Sequence, residues 1–344
     1  MKFAVFITSG IGNAIFLIPL IKVLKGKGKV YAIATSTFHA ERLFDGYCEQ
    51  LFEKVIVLDR SINLWRIIPS IFLQFDTAYV DYFGANRRNL WIAHIIARET
   101  ITNRIPRSLP AWVRNRIKLI PPIKNRHEST QYLRFTDTSI TKDELSQEMF
   151  FLTAKKTELP LPERYITVQP GAGNNLTPWK LWPLDRWTTL IETILEHNSD
   201  LSVIVLGDRH DRSMGTAMEA LHPSIITLVD KTPLHLLPGI VTKSVLHIGG
   251  DSGILHVAGT VGTPTITIVG GSDPALFGWH RVDDKKHLIV QHLLACHPCY
   301  RWYLPNRTRV KEAIQCPDFA CIRSIDPTEV NPLVERQLKA SRVS

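Results

Sequence analysis

Short apolar segments of strand length alternate with helix-like segments along almost the whole chain. In the first half, the apolar segments lie at residues 3–8, 30–34, 55–58 and 77–80. In the second half, they lie at residues 165–168, 202–206, 225–228, 245–248 and 265–269. Strands that alternate with helices pair in parallel, and the helices then cover both faces of the sheet. The alternation therefore predicts an α/β protein with parallel sheets.

The chain is long enough for two domains, because it has 344 residues. The alternation breaks in residues 152–163, where two Leu-Pro pairs follow two lysines. We therefore expect one domain over residues 1–155 and a second over residues 160–344 that ends in a C-terminal helix. The sequence contains no run of about 18 apolar residues, so no membrane-spanning helix is expected.

The turn after residues 245–248 has the composition of an anion-binding site. Two glycines precede Asp251-Ser252-Gly253, and apolar residues at helical spacing follow. The first N–H groups of a helix have no partner within the helix, and the positive end of its dipole favours a phosphate. The alternative is that Asp251 or Ser252 simply caps the helix.

A glycine-rich loop follows the first strand segment of the second half. Gly171 and Gly173 allow the backbone to approach a ligand closely. Lys180, later in the same loop, offers the mobile cation that a diphosphate leaving group needs.

Together these two segments resemble glycosyltransferase family 9, the lipopolysaccharide heptosyltransferases. That family has a Pro-Gly-Ala loop followed by Lys-x-Trp-Pro, and later Asp-[Ser/Thr]-Gly-x-x-His-x-Ala-x-x-x-Gly-x-Pro. In this chain the first signature occupies residues 170–172 and 180–183, and the second occupies residues 251–264.

The resemblance implies the GT-B fold, in which two Rossmann-like domains with parallel sheets face each other across a cleft. It also implies an inverting, metal-independent transfer of heptose from ADP-heptose to a lipopolysaccharide core acceptor. The departing diphosphate would be stabilised by Lys180, by the amides around Gly171 and Gly173, and by the helix start at Ser252-Gly253.

Four other polar residues are candidates for contact with the sugar donor. Asp251 and His256 belong to the second signature, and Asp208 and Asp211 follow the strand segment at residues 202–206. Asp208 and Asp211 are equally suited to capping the next helix, and His256 could be a structural histidine.

A second glycine turn, Gly10-Ile-Gly12-Asn13, follows the first strand segment. It does not fit a dehydrogenase, since Ile15 stands where a third glycine is needed and no acid ends the second strand segment. We expect the turn to approach the acceptor. In the heptosyltransferases this turn carries an aspartate, the proposed general base, whereas this chain has Asn13. An amide cannot accept the proton, so the base must be another residue.

Two residues after strand segments are candidates for that base. Asp81 follows residues 77–80 and is the first candidate, and His39, which follows the second strand segment, is the next. Either residue could instead be a capping or loop residue.

Four cysteines lie in one short segment as Cys296-x2-Cys299 and Cys316-x4-Cys321. Their number and spacing suit a structural tetrathiolate site for zinc or iron, and the alternative is four ordinary thiols. The related protein heptosyltransferases include an iron-binding form. A tetrathiolate site leaves no open coordination position, so this metal would be structural rather than catalytic.

Positive charge is concentrated in residues 86–126. The whole chain carries +9, and this segment holds ten Lys and Arg, beginning with Arg87 and Arg88, against one acid. Trp91 and Trp112 lie among them, which suits an anionic membrane interface. No nucleic-acid motif is present, so we expect an acidic glycolipid acceptor at the inner leaflet and a cytoplasmic protein peripheral to the inner membrane. The alternative is a solvated basic face.

Two other functions stay open at this point. The chain could use another nucleotide sugar or a protein acceptor. Because of Asn13, it could also be a non-catalytic nucleotide-sugar-binding protein.

Overall fold

The computed structural model describes residues 1–35, 39–58, 72, 74–172, 178–297, 299 and 316–342. The chain divides into two compact units, Met1–Phe150 and Phe151–Ser344. The boundary precedes the expected linker, because the N–H group of Leu152 donates to the carbonyl oxygen of Thr260 at 3.3 Å and ties this segment to the second unit.

The first unit is built on one six-stranded sheet. Its strands are β1 (Lys2–Ile7), β2 (Lys29–Thr35), β3 (Lys54–Leu58), β4 (Phe75–Val80), β5 (Ala97–Thr102) and β6 (Ile117–Leu119). They lie in the order β3-β2-β1-β4-β5-β6, and every neighbouring pair is parallel. The described helices are α1 (Ile11–Phe16), α2 (Ile18–Lys25), α3 (Arg87–Ile96), α4 (Ala111–Arg114), α5 (Glu128–Leu133), α6 (Gln147–Phe150) and the 3₁₀ helix Ala40–Gly46.

The second unit repeats this architecture. Its strands are β7 (Tyr165–Gln169), β8 (Ser202–Val205), β9 (Ile225–Thr227), β10 (His247–Gly249), β11 (Thr265–Val269) and β12 (His287–Gln291). The parallel order is β12-β11-β10-β7-β8-β9.

The described helices of the second unit include four short 3₁₀ segments. The α-helices are α7 (Leu184–His197), α8 (Arg212–Glu219), α9 (Leu237–Val241), α10 (Gly253–Thr260), α11 (Pro274–Phe277), α12 (Ala320–Arg323) and α13 (Pro327–Ala340). The 3₁₀ helices are Pro178–Lys180, Arg209–Asp211, Leu234–Leu236 and Trp279–Arg281.

Each sheet reverses its strand order once, between β1 and β4 in the first unit and between β7 and β10 in the second. This is the Rossmann strand order, in which ligands bind beyond the carboxyl ends of the strands at the point of reversal. The turns that follow these four strands carry most of the candidate site residues.

The predicted α/β fold with parallel sheets is confirmed. The sequence pattern does not reveal β5, β6 and β12. β5 carries exposed Arg98 and Glu99, and β6 exposes two of its three residues at the sheet edge. β12 begins with His287 and ends with Gln291. β5 and β6 therefore lack an apolar run, and the run in β12 is only three residues long.

Helix α7 illustrates how the apolar spacing positions the helices. Its buried residues recur on one face and are Trp187, Leu190, Ile191, Ile194 and Leu195. Helix α13 belongs to the same core through Val330, Val334 and Leu338. Asp326 caps α13 and also forms an ion pair with Arg186 of α7. In the part of the chain that the structure describes, no helix is long and apolar enough to cross a membrane.

Candidate functional site

The turn after β10 leaves the start of α10 without a side-chain cap. Ser252 occupies the N-cap position but makes no hydrogen bond to the first helical turn. Its hydroxyl donates instead to Oε1 of Gln169 at the end of β7. Asp251 does not cap the helix either, because it is paired with Lys180. The capping alternative is therefore wrong for this turn, and the first N–H groups of α10 lack the partner that capping would supply.

Lys180 reaches the same turn from the 3₁₀ helix Pro178–Lys180. Its Nζ lies 2.6 Å from Oδ2 of Asp251 and donates to the Asp251 carbonyl oxygen at 2.9 Å. The segment docks closely because Gly270 has no side chain, and a Cβ there would lie 1.8 Å from the Trp179 carbonyl oxygen. The fold thus brings together two residues that are 71 positions apart in the sequence.

The charge state of this pair follows from its surroundings. Burial alone raises the pKa of the Asp251 carboxyl, but the Lys180 ammonium and the hydrogen bond with His256 outweigh burial. The pKa of Asp251 therefore lies below its ordinary value, and the carboxylate is charged at neutral pH. The pair consequently presents a cation held by a buried anion next to the amides of α10.

His256 lies in α10, directly beneath the turn. It is 3% exposed, and its Nε2 lies 3.4 Å from Oδ1 of Asp251. Its Nδ1 lies 3.1 Å from the indole nitrogen of Trp279. His256 is thus buried against protein partners on both ring nitrogens, so its contact with the sugar donor stays a prediction.

Gly171, Asp208 and Asp211 meet where β7 and β8 end. Asp208 and Asp211 form a capping box around the 3₁₀ helix Arg209–Asp211, which supports the capping alternative for both. A Cβ on Gly171 would lie 1.8 Å from Oδ1 of Asp211, so the glycine allows the loop to pass over this carboxylate. Gly173, the other glycine predicted to approach the diphosphate, lies outside the described residues.

Asp81 follows β4 and is buried, with 1% of its surface exposed. Its Oδ1 accepts a hydrogen bond from the Gly84 N–H at 2.8 Å, and its Oδ2 accepts one from the Ser9 hydroxyl at 3.3 Å. Burial raises the pKa of Asp81 to about 6, although these hydrogen bonds favour the charged form. A carboxyl group that ionises near neutral pH is suited to general base catalysis.

The glycine turn after β1 lies beside Asp81. In the parallel register, Phe6 of β1 is opposite Val80 of β4, so the residues that follow the two strands are neighbours. Gly10 is the N-cap of α1, and Gly12 and Asn13 lie in its first turn. A Cβ on Gly10 would meet no described atom within 4 Å, which leaves room for a ligand.

His39, the second candidate base, has a local partner. It adopts a left-handed backbone with φ of 49° at the start of the 3₁₀ helix Ala40–Gly46. Its Nδ1 lies 3.3 Å from Oε1 of Glu41, which is buried. This contact supports the structural alternative for His39 and leaves Asp81 as the stronger candidate base.

Arg87 and Arg88 begin α3 and line a surface pocket of about 410 Å³ together with Trp91 and Pro110. Asn86 caps the helix by accepting a hydrogen bond from the Asn89 N–H at 2.9 Å. The lining thus consists of two arginines, a tryptophan and a proline. That combination can bind an anionic group attached to an apolar or sugar moiety.

The four clustered cysteines lie in the second unit. Cys321 is buried, Cys299 and Cys316 are half-buried, and Cys296 is exposed. Burial, with a contribution from the other three thiols, raises the pKa of Cys321 to about 11, which indicates that the four share one neighbourhood. Within the described residues, no three His, Cys, Asp or Glu side chains converge closely enough to hold a metal ion. Four thiolates are thus suitable ligands for zinc or iron, but the described residues do not already form a metal-binding geometry.

Sequence reasoning missed Gln169 and Trp279. Gln169 accepts the hydrogen bond from Ser252, and Trp279 donates to His256. Neither belongs to the residue types usually sought in a transferase site. A weak signal was available for Gln169 alone, because it ends β7 directly before the glycine-rich loop.

Two units with the Rossmann strand order define a class of α/β proteins that includes the GT-B glycosyltransferases. The sequence profile of glycosyltransferase family 9 (heptosyltransferase) matches residues 124–303, just over half of the chain, and the chain belongs to this family. It is therefore a glycosyltransferase.

Several solved structures share the fold over nearly the whole chain. A family 9 glycosyltransferase from Veillonella parvula DSM 2008 has a TM-score of 0.75 at 16% identity, covering 98% of this chain and 97% of that one. The E. coli ADP-heptose lipopolysaccharide heptosyltransferase II has a TM-score of 0.69 at 16% identity, covering 92% and 98%. The E. coli heptosyltransferase WaaC with ADP has a TM-score of 0.69 at 14% identity, covering 98% and 100%. No curated protein sequence matches the chain.

Proposed function

We propose that this glycosyltransferase moves heptose from ADP-heptose to a lipopolysaccharide core acceptor, with inversion and without a catalytic metal. The observation that carries this proposal is the Lys180–Asp251 pair beside the uncapped start of α10. The Lys180 ammonium, held in place by Asp251, offers positive charge where a diphosphate would leave. The identity of the sugar donor draws support from the E. coli structures, which are named for ADP-heptose and for bound ADP.

The second unit supplies the stabilisation of the leaving group. As the bond between the sugar C1 and the diphosphate oxygen breaks, negative charge grows on the diphosphate. Lys180 and the first N–H groups of α10 are already oriented, so they need no reorganisation as this charge develops. Before the substrate binds, Asp251 holds the Lys180 ammonium in place.

The first unit supplies the base. The acceptor hydroxyl oxygen forms a bond to C1 through an oxocarbenium-like transition state, and its proton passes to the carboxylate of Asp81. Asp81 is suited to this role because burial places its pKa near 6. Asn13 would orient the acceptor by hydrogen bonding, because an amide both donates and accepts.

Arg87, Arg88 and Trp91 are the proposed contact with the acceptor. Their pocket suits a phosphorylated glycolipid, since the guanidinium groups bind phosphate and the indole ring packs against apolar or sugar groups. The basic residues in the rest of the 86–126 segment would hold the protein at an anionic inner-leaflet surface.

Charge reversal tests this contact. The double variant Arg87→Glu, Arg88→Glu is expected to raise the KM for the acceptor and leave the KM for the sugar donor unchanged. The effect should shrink with added salt, since the Debye length falls from about 10 Å at 0.1 M to about 3 Å at 1 M. Binding to anionic vesicles should weaken by about 1 kcal/mol per charge removed near the surface. Steady-state kinetics and vesicle sedimentation measure these quantities.

A matched control is Arg336→Glu, Lys339→Glu, which reverses two exposed charges on α13 in the second unit. It should change neither KM. An equal rise in the KM for donor and acceptor in the Arg87, Arg88 variant would indicate a folding defect. No rise in either KM would mean that these arginines belong only to a solvated basic face.

The enzymatic activity is tested with purified protein, ADP-heptose, a heptose-deficient lipopolysaccharide core and EDTA. We expect ADP release that depends on the acceptor and continues in the chelator.

A panel of other nucleotide sugars, screened by thermal shift, tests the alternative donors. A ligand present at 100 times its Kd stabilises the protein by about 2.7 kcal/mol, which is easily detected. Donor binding without transfer or hydrolysis would support the non-catalytic alternative that Asn13 left open.

We also propose that the four clustered cysteines hold one structural zinc or iron ion, on the strength of their chemistry and shared neighbourhood. Elemental analysis of chelator-washed protein should then find about one ion per chain. The variant Cys296→Ser should lose the ion, whereas Cys48→Ser, which alters an exposed thiol of the first unit, should retain it. Metal-free protein with full stability and activity would contradict the proposal.

A further inference from the structure

A continuous line of buried polar contacts runs from Trp279 to Lys180. The indole nitrogen of Trp279 lies 3.1 Å from Nδ1 of His256. Nε2 of the same ring lies 3.4 Å from Oδ1 of Asp251, whose Oδ2 lies 2.6 Å from the Lys180 ammonium. Trp279 is 2% exposed, His256 3% and Asp251 7%, so water does not compete for these contacts.

The chemistry of the groups sets the direction of every hydrogen bond in this line. An indole N–H can only donate, so Nδ1 of His256 must accept and carries no proton. The ring proton of a neutral imidazole then resides on Nε2, which donates to the Asp251 carboxylate. With Oδ1 occupied in this way, Oδ2 is directed to Lys180. A second proton on Nδ1 would require the Trp279 hydrogen bond to break.

Packing holds the indole ring in this position. A Cβ on Gly259 would lie 2.1 Å from Cε2 of Trp279, so the ring lies directly against the backbone of α10. Its other neighbour is the His287 ring, with centroids 5.7 Å apart. The orientation of the N–H group is therefore determined by packing against α10 and β12.

A second buried histidine lies close to His256. His247 of β10 is fully buried nearby, and its Nδ1 lies 3.1 Å from the hydroxyl of Thr167. Burial lowers the pKa of His247 to about 3. His247 thus contributes no charge at neutral pH.

We infer that Trp279 is a positioning residue for Lys180. By donating to Nδ1, it holds His256 as the neutral Nε2–H tautomer, and this tautomer orients Asp251 so that one carboxylate oxygen holds the Lys180 ammonium. Trp279 acts only through His256 and Asp251. The inference rests on the proposed function of Lys180 for its catalytic meaning, but the tautomer and the lysine pairing are measurable without any substrate.

The test uses the full-length variant Trp279→Phe, which keeps an aromatic ring against Gly259 and removes the N–H group. In ¹⁵N-histidine spectra, His256 of the unmodified protein should show a single Nε2–H tautomer, and the variant should show a mixture. The acetylation rate of Lys180, followed by mass spectrometry, should rise in the variant as the ion pair loosens. The Kd for ADP should rise about tenfold, the equivalent of losing one buried hydrogen bond.

A second pair of variants leaves Trp279 in place and keeps the test valid if Trp279→Phe fails to fold. His256→Gln retains one acceptor and one donor, so Lys180 should stay protected from acetylation. His256→Leu retains neither, so protection should be lost. Tyr165→Phe is the matched control, because it removes a buried hydroxyl that donates to the Ile240 carbonyl oxygen at 2.6 Å in the same unit and should alter none of the three readouts.

Two results would overturn the inference. His256 could keep its tautomer in Trp279→Phe, or the tautomer could change while Lys180 protection stays at the level of the unmodified protein. If tautomer and protection change as expected but the unmodified protein does not bind ADP, the role of Trp279 stands and the proposed sugar donor fails.

Discussion

Replacing Lys180 with alanine is expected to lower kcat by about 10²- to 10³-fold. The ammonium lies next to the uncapped start of α10, where the proposed diphosphate leaves, and adds a full positive charge to the dipole of that helix. Because the charge on the diphosphate grows in the transition state, the loss should be larger in kcat than in the KM for the sugar donor. Steady-state kinetics with saturating acceptor measure both quantities, and an unaltered kcat would remove Lys180 from the site.

The same substitution should also reduce stability, because the Lys180 and Asp251 side chains are only 16% and 8% exposed. Alanine leaves a buried carboxylate without its partner, which costs about 3–5 kcal/mol. The double variant Lys180→Met, Asp251→Asn removes both charges and should recover most of this stability without recovering activity. Thermal denaturation of the three proteins separates the catalytic loss from the folding loss.

Replacing Asp81 with asparagine is expected to lower kcat by about 10²- to 10⁴-fold, the usual contribution of a general base. Asparagine has the same shape and still accepts the hydrogen bond from the Gly84 N–H, so the turn after β4 should keep its structure. Asn13→Ala should cost less, because Asn13 only orients the acceptor. The reverse ranking would mean that Asn13 is the more important group and that Asp81 is structural. A gain of activity in Asn13→Asp would show that the turn after β1 can still carry a base.

The pH dependence provides a second measurement for Asp81. A general base works in its ionised form, and the pKa of Asp81 is about 6. The kcat/KM of the unmodified enzyme should therefore fall as the pH drops below about 6 and level off above it. The residual kcat/KM of Asp81→Asn should not show this fall at low pH. If the variant still shows a fall in kcat/KM at the same pH, a group other than Asp81 is responsible for that fall.

The raised pKa also predicts an effect on folding. Burial raises the pKa of Asp81 from its ordinary 3.8 to about 6, so the folded state holds this proton more tightly than the unfolded state does. The stability that Asp81 contributes is then fully present below pH 3.8 and is lost as the pH rises through about 6. At neutral pH, Asp81→Asn should accordingly be at least as stable as the unmodified protein, whereas its activity is largely lost.

The spacing of apolar residues was enough to predict the parallel α/β architecture and nine of the twelve strands found in the described residues. It failed at β5 and β6, where exposed residues interrupt the apolar run, and at β12, where polar residues at both ends leave a run of only three. Residue chemistry also predicted an anion-binding turn at Asp251, because short polar residues between a buried strand and a helix are a local pattern. Such patterns are readable from sequence because neighbours along the chain are neighbours in the element that they form.

Contacts between distant segments were decided by the tertiary structure. Asp251 could have capped α10, and only the approach of Lys180 across 71 positions made it a counter-ion instead. The partners of His256 could not be read from the sequence, and packing brought Trp279 against Gly259, where its indole N–H donates to the His256 ring. Burial moved the pKa of Asp81 towards neutrality. The sequence by itself determined which side chains are present at the ends of the strands. Their partners, charges and proton positions depend on burial and on distances of a few ångströms, which only the folded chain defines.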